Sequence, residues 1–428
     1  MMEQDVRNQI ITLINKEVVP AIGCTEPMAV ALCTARATEL LGHTPEKIEA
    51  CLSGNIIKNA MGVGIPGTGM IGLPIAIALG ALIGKSEYGL EVLKDLTPET
   101  LEQGREYISG QHINIKLKDD ISEKLYVEVH CDDAVAIISG GHTNFVYEAK
   151  GGEVVLDRRT PEVGEKDNGA EKGIELNMRL VYDFAMTAPL AEIEFIKQTK
   201  EYNMNAAHEA ILGNYGHNLG KTIDRPLAQG IFGKSIFSKI IAKTASACDA
   251  RMGGAMVPVM SNSGSGNQGI CATNPVAVYA AENENTEEEL VRALILSHLT
   301  AIYIKQTLGK LSALCGCVVA GIGSCCGITY LMGGDYARIC SAVKNMIANI
   351  TGMICDGAKP SCSLKISSGV STAILSALLA MEGKNVSSAE GIIDEDVDRS
   401  IHNLTSIGAD AMCATDAMVL NIMTHKGC

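Results

Sequence analysis

The sequence predicts an α+β protein, predominantly α-helical, with a small antiparallel β-sheet in its N-terminal half. Two observations carry this prediction. Residues 4–42 and 174–428 repeat their apolar side chains with helical spacing, whereas short segments between residues 111 and 157 alternate with a period of two. Turns such as Gly140–Gly141 and Gly151–Gly152 separate these short segments, as is typical of an antiparallel meander.

The N-terminal helical region is interrupted at residues 20–27, PAIGCTEP. We expect Thr25 to cap the following helix and Pro27 to lie in its first turn. Cys24 then lies at a helix N-terminus, where the helix dipole favours a thiolate. Residues 53–84 continue as an apolar stretch that glycines interrupt.

The central region predicts four or five strands. They are Ile113–Leu117, Leu125–Val129, Ala134–Ile138, Asn144–Ala149 and Val154–Leu156. Residues 160–173 are charged and Gly-rich, which indicates a linker. The chain is therefore divided into an N-terminal α/β region, residues 1–165, with the meander at about 111–157, and a helical domain, residues 166–428.

Composition excludes several classes of protein. Apolar residues make up 47% of the 428 residues and charged residues 20%, which is typical of a globular chain. Because 35 basic and 49 acidic residues give a formal net charge of −14, no nucleic-acid partner is expected. The uncharged run Leu311–Gly334 is long enough to span a bilayer, but it is rich in Gly, Cys and Ser. It predicts a buried helix of a large core and no membrane partner.

The fifteen cysteines favour a reducing compartment, and we expect a cytoplasmic protein, since the charged N-terminal helix is no signal peptide. Cys355 and Cys362 frame a turn-rich loop, residues 356–361, which could bring two thiolates to one metal centre. No CxxC pair is present, and the spacing alone fits buried structural thiols equally well. Six other cysteines are interpreted as small buried hydrophobes: Cys33, Cys51, Cys248, Cys325, Cys326 and Cys340.

A donor-rich loop, SNSGSGNQG at residues 261–269, precedes an apolar helix. Such a loop cradles an anion, either a phosphate or an amino-acid carboxylate, although an ordinary turn between helices remains an alternative. No GK[ST] follows, so it is not a Walker A loop. The candidate binding residues are Asn262, Ser263, Gly264, Ser265, Gly266 and Asn267. A second anion loop, or a flexible turn, is predicted at Gly62–Gly69, with Lys58 as a nearby cation.

Four motifs together resemble the L-cysteine desulfidase family, the oxygen-sensitive iron–sulfur relatives of bacterial L-serine dehydratase. They are Ile22–Pro27, Ser263–Gly269, Leu314–Cys317 and Cys355–Cys362. The resemblance covers nearly the whole chain. It implies a [4Fe-4S] cluster held by Cys315, Cys355 and Cys362, and it assigns the role of proton acceptor to Cys24. The similarity to serine dehydratases also implies a β domain near residues 141–156 and a helical α domain.

The implied activity is a lyase of amino-acid catabolism that converts L-cysteine to pyruvate, ammonia and hydrogen sulfide. An L-serine dehydratase-like deaminase is the near alternative, and a pyridoxal-phosphate lyase would perform the same elimination. A redox or metal-sensing protein is the non-enzymatic alternative. We expect Cys24 to reach the cavity of the cluster without binding the cluster, and we expect the loop Ser263–Gly269 to line the same cavity. Approach of Cys317 or Cys428 to the cluster, preference for another β-substituted amino acid and a homo-oligomer are left open.

Overall fold

The structure, a computed structural model, describes residues 2–118, 121, 123–159, 173–309 and 312–425. Except for Gly173, the predicted linker at residues 160–173 lies outside the described residues. The chain forms two compact units. Unit 1 contains Met1–Ala21, Lys172–Cys355 and Pro360–Met418, and unit 2 contains Ile22–Glu171, Asp356–Lys359 and Val419–Cys428. A domain boundary near residue 165 stays a prediction.

The described residues form helices and strands in the following chain order. The helices are α1 (Gln4–Glu17), α2 (Thr25–Leu41), α3 (Gly54–Ala60), α4 (Leu73–Ile83), α5 (Pro98–Ser109), α6 (Met178–Thr187), α7 (Leu190–Ile193), α8 (Lys197–Leu212), α9 (Leu219–Ile223), α10 (Pro226–Phe232), α11 (Ile236–Met252), α12 (Gly266–Glu282), α13 (Glu287–Leu308), α14 (Gly316–Leu331), α15 (Tyr336–Ile350), α16 (Cys362–Met381), α17 (Val397–Ser406) and α18 (Cys413–Thr424). The strands are β1 (Pro20–Ile22), β2 (Ile48–Leu52), β3 (Ile113–Leu117), β4 (Tyr126–Cys131), β5 (Ala134–Ser139), β6 (Phe145–Lys150), β7 (Glu153–Asp157) and β8 (Pro258–Met260). Short 3-10 segments lie at Ser86–Glu91 and Glu194–Ile196, and a π-helical turn lies at Ile407–Ala411.

Unit 2 is built on a six-stranded sheet in the order β3-β2-β4-β5-β6-β7. Strands β4 to β7 form the predicted antiparallel meander. The predicted α+β class, predominantly helical with a small sheet, is confirmed. One detail differs, because β3 does not continue the meander. It pairs in parallel with β2, so the sheet is mixed.

Strand β2 was not assigned from the sequence, although it carries the alternation of a half-buried strand. Ile48, Ala50 and Leu52 are fully buried, whereas Glu49 and Cys51 between them are partly exposed. A strand of five residues gives a weak signal beside the long helical patterns on either side. Its place in the middle of the sheet comes from pairing with both β3 and β4.

Unit 1 is helical, and α14 lies at its centre, packed against α12, α13, α15 and α16. The described part of the predicted uncharged run forms a buried helix, while Leu311 lies outside the described residues. Small residues permit this packing. A side chain at Gly323 would overlap the carbonyl of Ser297 in α13, and one at Gly327 would begin 2.9 Å from the carbonyl of Ala293.

One described helix, α16, is long and apolar enough to cross a membrane by length and composition. Half of its most apolar 18-residue window is buried inside the protein. A core helix passes the same test, so α16 gives only weak support for a membrane span.

We predict that Gly323→Ala destabilises the protein by about 1–3 kcal/mol, because the new methyl group overlaps the Ser297 carbonyl in a close-packed core. Thermal unfolding followed by circular dichroism measures the effect. The matched control is Gly230→Ala on the exposed face of α10, where nothing lies within 4 Å of the added carbon. Equal melting temperatures for the two variants would contradict the packing argument.

Candidate functional site

Two of the predicted cluster ligands, Cys315 and Cys355, directly follow the residues of a short antiparallel bridge in unit 1, which pairs Leu314 with Ile354. The N–H of Cys315 donates to the Met353 carbonyl at 3.0 Å, and the N–H of Cys355 donates to the Ala313 carbonyl at 2.6 Å. In this register the two cysteines are diagonal neighbours on one face, a relation that typically separates two residues by about 7–8 Å. Backbone pairing thus brings together thiols that are forty positions apart.

Cys317 is a buried thiol beside Cys315. Its S–H donates to the Cys315 sulfur at 3.3 Å, and its sulfur also lies 3.0 Å from Met353 Sδ and 3.5 Å from the Lys365 carbonyl. The hydrogen bond to Cys315 and then burial raise the pKa of Cys317, so this thiol keeps its proton. The charge of Cys362, the first residue of α16, also raises this pKa, which indicates that the thiols interact.

No three His, Cys, Asp or Glu side chains converge on a single metal ion among the residues that the structure describes. A [4Fe-4S] cluster has a different requirement, because each cysteine binds its own iron at a separate corner. Cys315 and Cys362 lie at the N-termini of α14 and α16, where helix dipoles favour thiolates. This donor set fits a cluster. Cys428 lies outside the described residues.

The cysteines interpreted as structural divide into two groups. Cys51 and Cys340 are half-buried. The others are fully buried, and burial raises the pKa of each: Cys33, Cys248, Cys325 and Cys326. Protonated thiols in such surroundings behave as small hydrophobes.

The donor-rich loop begins with a tight turn. Ser263 and Gly264 have φ values of 48° and 80°, and Asn262 and Ser265 exchange two backbone hydrogen bonds of 3.0 and 3.1 Å. Positive φ at both central positions is typical of a type I′ turn. The N–H of Ser263 donates to the carbonyl of Glu17. Much of the loop's backbone is therefore used to hold the loop in place.

The backbone donors that the loop offers are those at the start of α12. Ser265 caps the helix by accepting from the N–H of Gln268 at 3.3 Å. In the described part of the chain, the backbone N–H groups of Gly264, Gly266 and Asn267 donate no hydrogen bond. These three N–H groups are the backbone donors that the loop can offer to an anion, and two of them lie in the first turn of α12.

Asn267 is oriented by two donors on α11. Its Oδ1 accepts from Nη1 of Arg251 at 3.0 Å and from the S–H of Cys248 at 3.6 Å. The amide nitrogen Nδ2 is consequently directed away from α11 as a donor. Arg251 is only 4% exposed, and a side chain at Gly266 would overlap its guanidinium. A buried positive charge thus adds to the helix dipole at the N-terminus of α12.

Asn262, predicted to bind substrate, has a fully engaged side chain. Nδ2 donates to the carbonyl and to Nδ1 of His298, both at 3.1 Å. Oδ1 accepts from Ser263 Oγ and from Gln268 Nε2, both at 2.9 Å. Because Asn262 is completely buried and its amide is saturated, it holds the loop and orients Gln268.

His298 extends this network into the core. Since Nδ1 accepts from Asn262, the proton is on Nε2, which lies 2.9 Å from Thr273 Oγ1. Thr273 also accepts from Asn203 Nδ2 at 3.1 Å. Burial lowers the pKa of His298 to about 3, so the imidazole is neutral at physiological pH.

Cys24 belongs to unit 2 and is itself the N-cap of α2, so the expectation that Thr25 caps this helix is corrected. The Cys24 S–H donates to Glu26 Oε2 at 2.8 Å. Glu26 also accepts from Thr25 Oγ1 at 3.1 Å and from Asn59 Nδ2 at 3.2 Å. The result is a thiol–carboxylate pair at a helix N-terminus.

Lys58, also in unit 2, is only 2% exposed. The backbone carbonyl of Lys58 occupies the space that a side chain at position 357 would need, and Gly357 has a φ of 89°. Both facts require glycine at position 357. The glycine loop at residues 62–69 is bonded internally, since Thr68 Oγ1 donates to the Ile65 carbonyl at 2.8 Å. The substrate-binding role of Lys58 and the second anion loop stay predictions.

Four polar residues of these networks have no individual site role predicted from the sequence: Glu26, Arg251, Gln268 and His298. One weak signal was present, because Gln268 lies inside the donor-rich motif. Their importance depends on tertiary contacts that residue spacing does not encode.

We predict that His298 makes the protein less stable in acid. Its folded pKa, about 3, lies below its unfolded value of 6.5, so the unfolded chain gains the proton first as the pH falls. The stabilisation is present above pH 6.5 and decreases by about 1.4 kcal/mol per pH unit below it. Urea unfolding of wild type and His298→Gln at pH 7.5, 6.0 and 5.0 measures this difference. Exposed His402→Gln is the control, and parallel pH curves for wild type and His298→Gln would contradict the prediction.

Most or all of the chain matches known proteins. A family model described as serine dehydratase alpha chain matches residues 87–421. A UPF0597 protein of Bacteroides fragilis is 64% identical, with 100% of both chains covered. UPF0597 proteins of Porphyromonas gingivalis and Shewanella pealeana are 54% and 43% identical, each covering 99% of this chain and 100% of the relative.

Proposed function

The chain belongs to the serine dehydratase alpha chain family, and from this premise we propose that it is an iron–sulfur-dependent lyase that eliminates sulfide from L-cysteine. Family membership supports a serine dehydratase-like lyase of amino-acid catabolism. L-cysteine, the [4Fe-4S] cluster and a cytoplasmic location are the finer parts of the proposal. The observation that carries it is the antiparallel bridge between Leu314 and Ile354, which places Cys315 and Cys355 on one face beside the N-terminus of α14.

Cys315, Cys355 and Cys362 are the proposed ligands of the cluster. Three cysteine ligands leave one iron without a protein thiolate, and such an iron supplies a Lewis acid for a substrate oxygen or sulfur. Cys317 is proposed to support Cys315 through its S–H bond at 3.3 Å. Hydrogen bonds to ligand sulfurs are one means by which proteins tune such clusters.

The proposed reaction is an α,β-elimination. The Cα–H bond breaks, its electron pair forms the Cα=Cβ double bond, and the Cβ–S bond breaks with departure of HS⁻. The resulting aminoacrylate takes up a proton as its imine and is hydrolysed to pyruvate and ammonia. With one water consumed, L-cysteine gives pyruvate, ammonia and hydrogen sulfide.

Cys24 is the proposed acceptor of the Cα proton. Its S–H donates to Glu26 Oε2 at 2.8 Å, so a carboxylate lies where it could take the thiol proton. The N-terminus of α2 stabilises a negative charge on this pair. Transfer of the thiol proton to Glu26 leaves a thiolate, which is the basic form.

The start of α12 is the proposed carboxylate site. Gly264, Gly266 and Asn267 offer backbone donors, and the Asn267 side chain adds an amide N–H₂ oriented by Arg251. An amino-acid carboxylate requires several donors, because burying it without partners is costly. The combination of a helix N-terminus and a buried guanidinium supplies favourable electrostatics.

A serine dehydratase-like deaminase is the second candidate, and the family match favours it directly. It uses the same sites and releases water instead of HS⁻ from the β-carbon. A pyridoxal-phosphate lyase would leave the paired cysteines without a role, and a redox or metal sensor would leave the carboxylate site without one. Substrate preference and cofactor content therefore separate these alternatives.

We predict that anaerobically purified protein contains about four irons and four sulfides per chain, no pyridoxal, and a higher kcat/KM for L-cysteine than for L-serine. Iron and sulfide analysis and assays of pyruvate and sulfide measure this. Cys355→Ala should lose most of its iron, whereas Cys340→Ala on α15, half-buried and outside the ligand set, should keep it. Purified protein that contains pyridoxal and no iron would contradict the proposed iron–sulfur cofactor. A higher kcat/KM for L-serine would favour the serine dehydratase-like deaminase.

We predict that Cys24→Ala keeps its iron and lowers kcat by at least about a hundredfold, because the proton acceptor is removed. Glu26→Gln should lower kcat and shift the pH dependence of kcat/KM, since the paired carboxylate can no longer take the thiol proton. Thr25→Val is the control, because it removes one hydrogen bond to Glu26 and no proton carrier. Loss of iron in Cys24→Ala would instead make Cys24 a cluster ligand.

A further inference from the structure

The side-chain carbonyl of Gln268 is a buried hydrogen-bond acceptor with no partner in the described part of the chain. Gln268 is 1% exposed, and its other amide atom, Nε2, donates to Asn262 Oδ1 at 2.9 Å. An acceptor left unpaired in the interior costs about 1–3 kcal/mol. A donor absent from the chain itself would remove this cost.

The orientation of the Gln268 amide follows from a backbone group. The carbonyl of His298 can only accept, so the amide atom of Asn262 that faces it at 3.1 Å is the nitrogen. The oxygen of Asn262 must then face Gln268, which presents its nitrogen in return. Oε1 is therefore the amide atom of Gln268 that has no partner in the described part of the chain. Reversing the amide would place Oε1 of Gln268 against Oδ1 of Asn262.

The Gln268 oxygen faces the segment that carries the proposed cluster ligand. A side chain at Gly316 would begin 3.2 Å from Oε1, and Gly316 lies between Cys315 and Cys317. The acceptor is thus beside the first turn of α14. An acceptor at this place attracts a hydrogen-bond donor, and a cationic donor makes a stronger bond to it than a neutral one.

We propose that Gln268 Oε1 binds the α-ammonium group of an amino-acid substrate. Asn267, the preceding residue, directs its Nδ2 donor away from Arg251 at the same end of α12. Consecutive residues therefore offer a donor for a carboxylate and an acceptor for an ammonium group. In an α-amino acid these two groups are attached to one carbon, so neighbouring partners suit them.

This inference rests on the proposed function for its ligand class, but its test does not need turnover. L-alanine and propionate differ by the ammonium group, and neither has a β leaving group. Calorimetry with the anaerobic holoprotein compares their affinities in wild type, Gln268→Met and Gln268→Glu. Met matches Gln in length and cannot accept. Glu keeps an acceptor at the Oε1 position, and because burial favours the protonated carboxyl, its O–H can replace the Nε2 donor to Asn262. Asn267→Ala is the comparison for loss of a carboxylate donor.

We expect wild type to bind L-alanine at least about tenfold more tightly than propionate, since a hydrogen bond to a charged group is stronger than a neutral one. Gln268→Met should abolish that preference with little change for propionate, and Gln268→Glu should keep it. Asn267→Ala should weaken both ligands alike. If Gln268→Met does not fold, the wild-type preference and its retention in Gln268→Glu still test the inference.

Several outcomes would overturn ammonium recognition. They are equal affinity of wild type for the two ligands, no binding of L-alanine, or equal weakening of both in Gln268→Met, which would indicate a structural role or a bound water. Turnover of L-cysteine without an L-alanine preference would overturn this inference and leave the proposed function standing. A Gln268-dependent preference for L-alanine without turnover of any β-substituted amino acid would support ammonium recognition and overturn the proposed function.

Discussion

The side-chain amide of Asn262 has one permitted orientation, and the positions of the donor-rich loop and of Gln268 in unit 1 depend on it. Its nitrogen must face the carbonyl of His298, so its oxygen receives the hydroxyl of Ser263 and the amide of Gln268. Each bond is buried, where a broken hydrogen bond is expensive. The donor-rich loop is consequently attached to α13 through a network that has a single arrangement.

Close packing then brings three helix N-termini together. Gln268 in the first turn of α12 faces Gly316 at the start of α14, and Cys317 lies 3.5 Å from the carbonyl of Lys365 near the start of α16. Glycines on α14 permit this approach, as at Gly323. Three positive helix ends in one region favour anions. Thiolates and a carboxylate have the charge that such a region stabilises.

The sequence predicted what depends on local periodicity and motif. The strands β4 to β7 followed from alternation, and the resemblance to the serine dehydratase alpha chain is confirmed by the family match. It did not predict the parallel pairing of β2 with β3, because only tertiary contacts decide which strands are neighbours. Gly266 and Gly269 lie in the predicted anion-binding loop, and side chains there would overlap Arg251 and the Met260 carbonyl. Such glycines serve close packing first.

The polar arrangement of the loop distinguishes substrate binding from metal sensing more sharply than the cysteines do. A sensor needs thiolates, which Cys315 and Cys355 supply in either case. It has no need of a buried arginine that turns Asn267 outward as a donor. The buried guanidinium of Arg251 lies beside the N-terminus of α12, where its positive charge and the helix dipole both attract an anion. The orientation of Asn267 and the positive charge beside it therefore favour the proposed carboxylate site, which a lyase acting on amino acids requires.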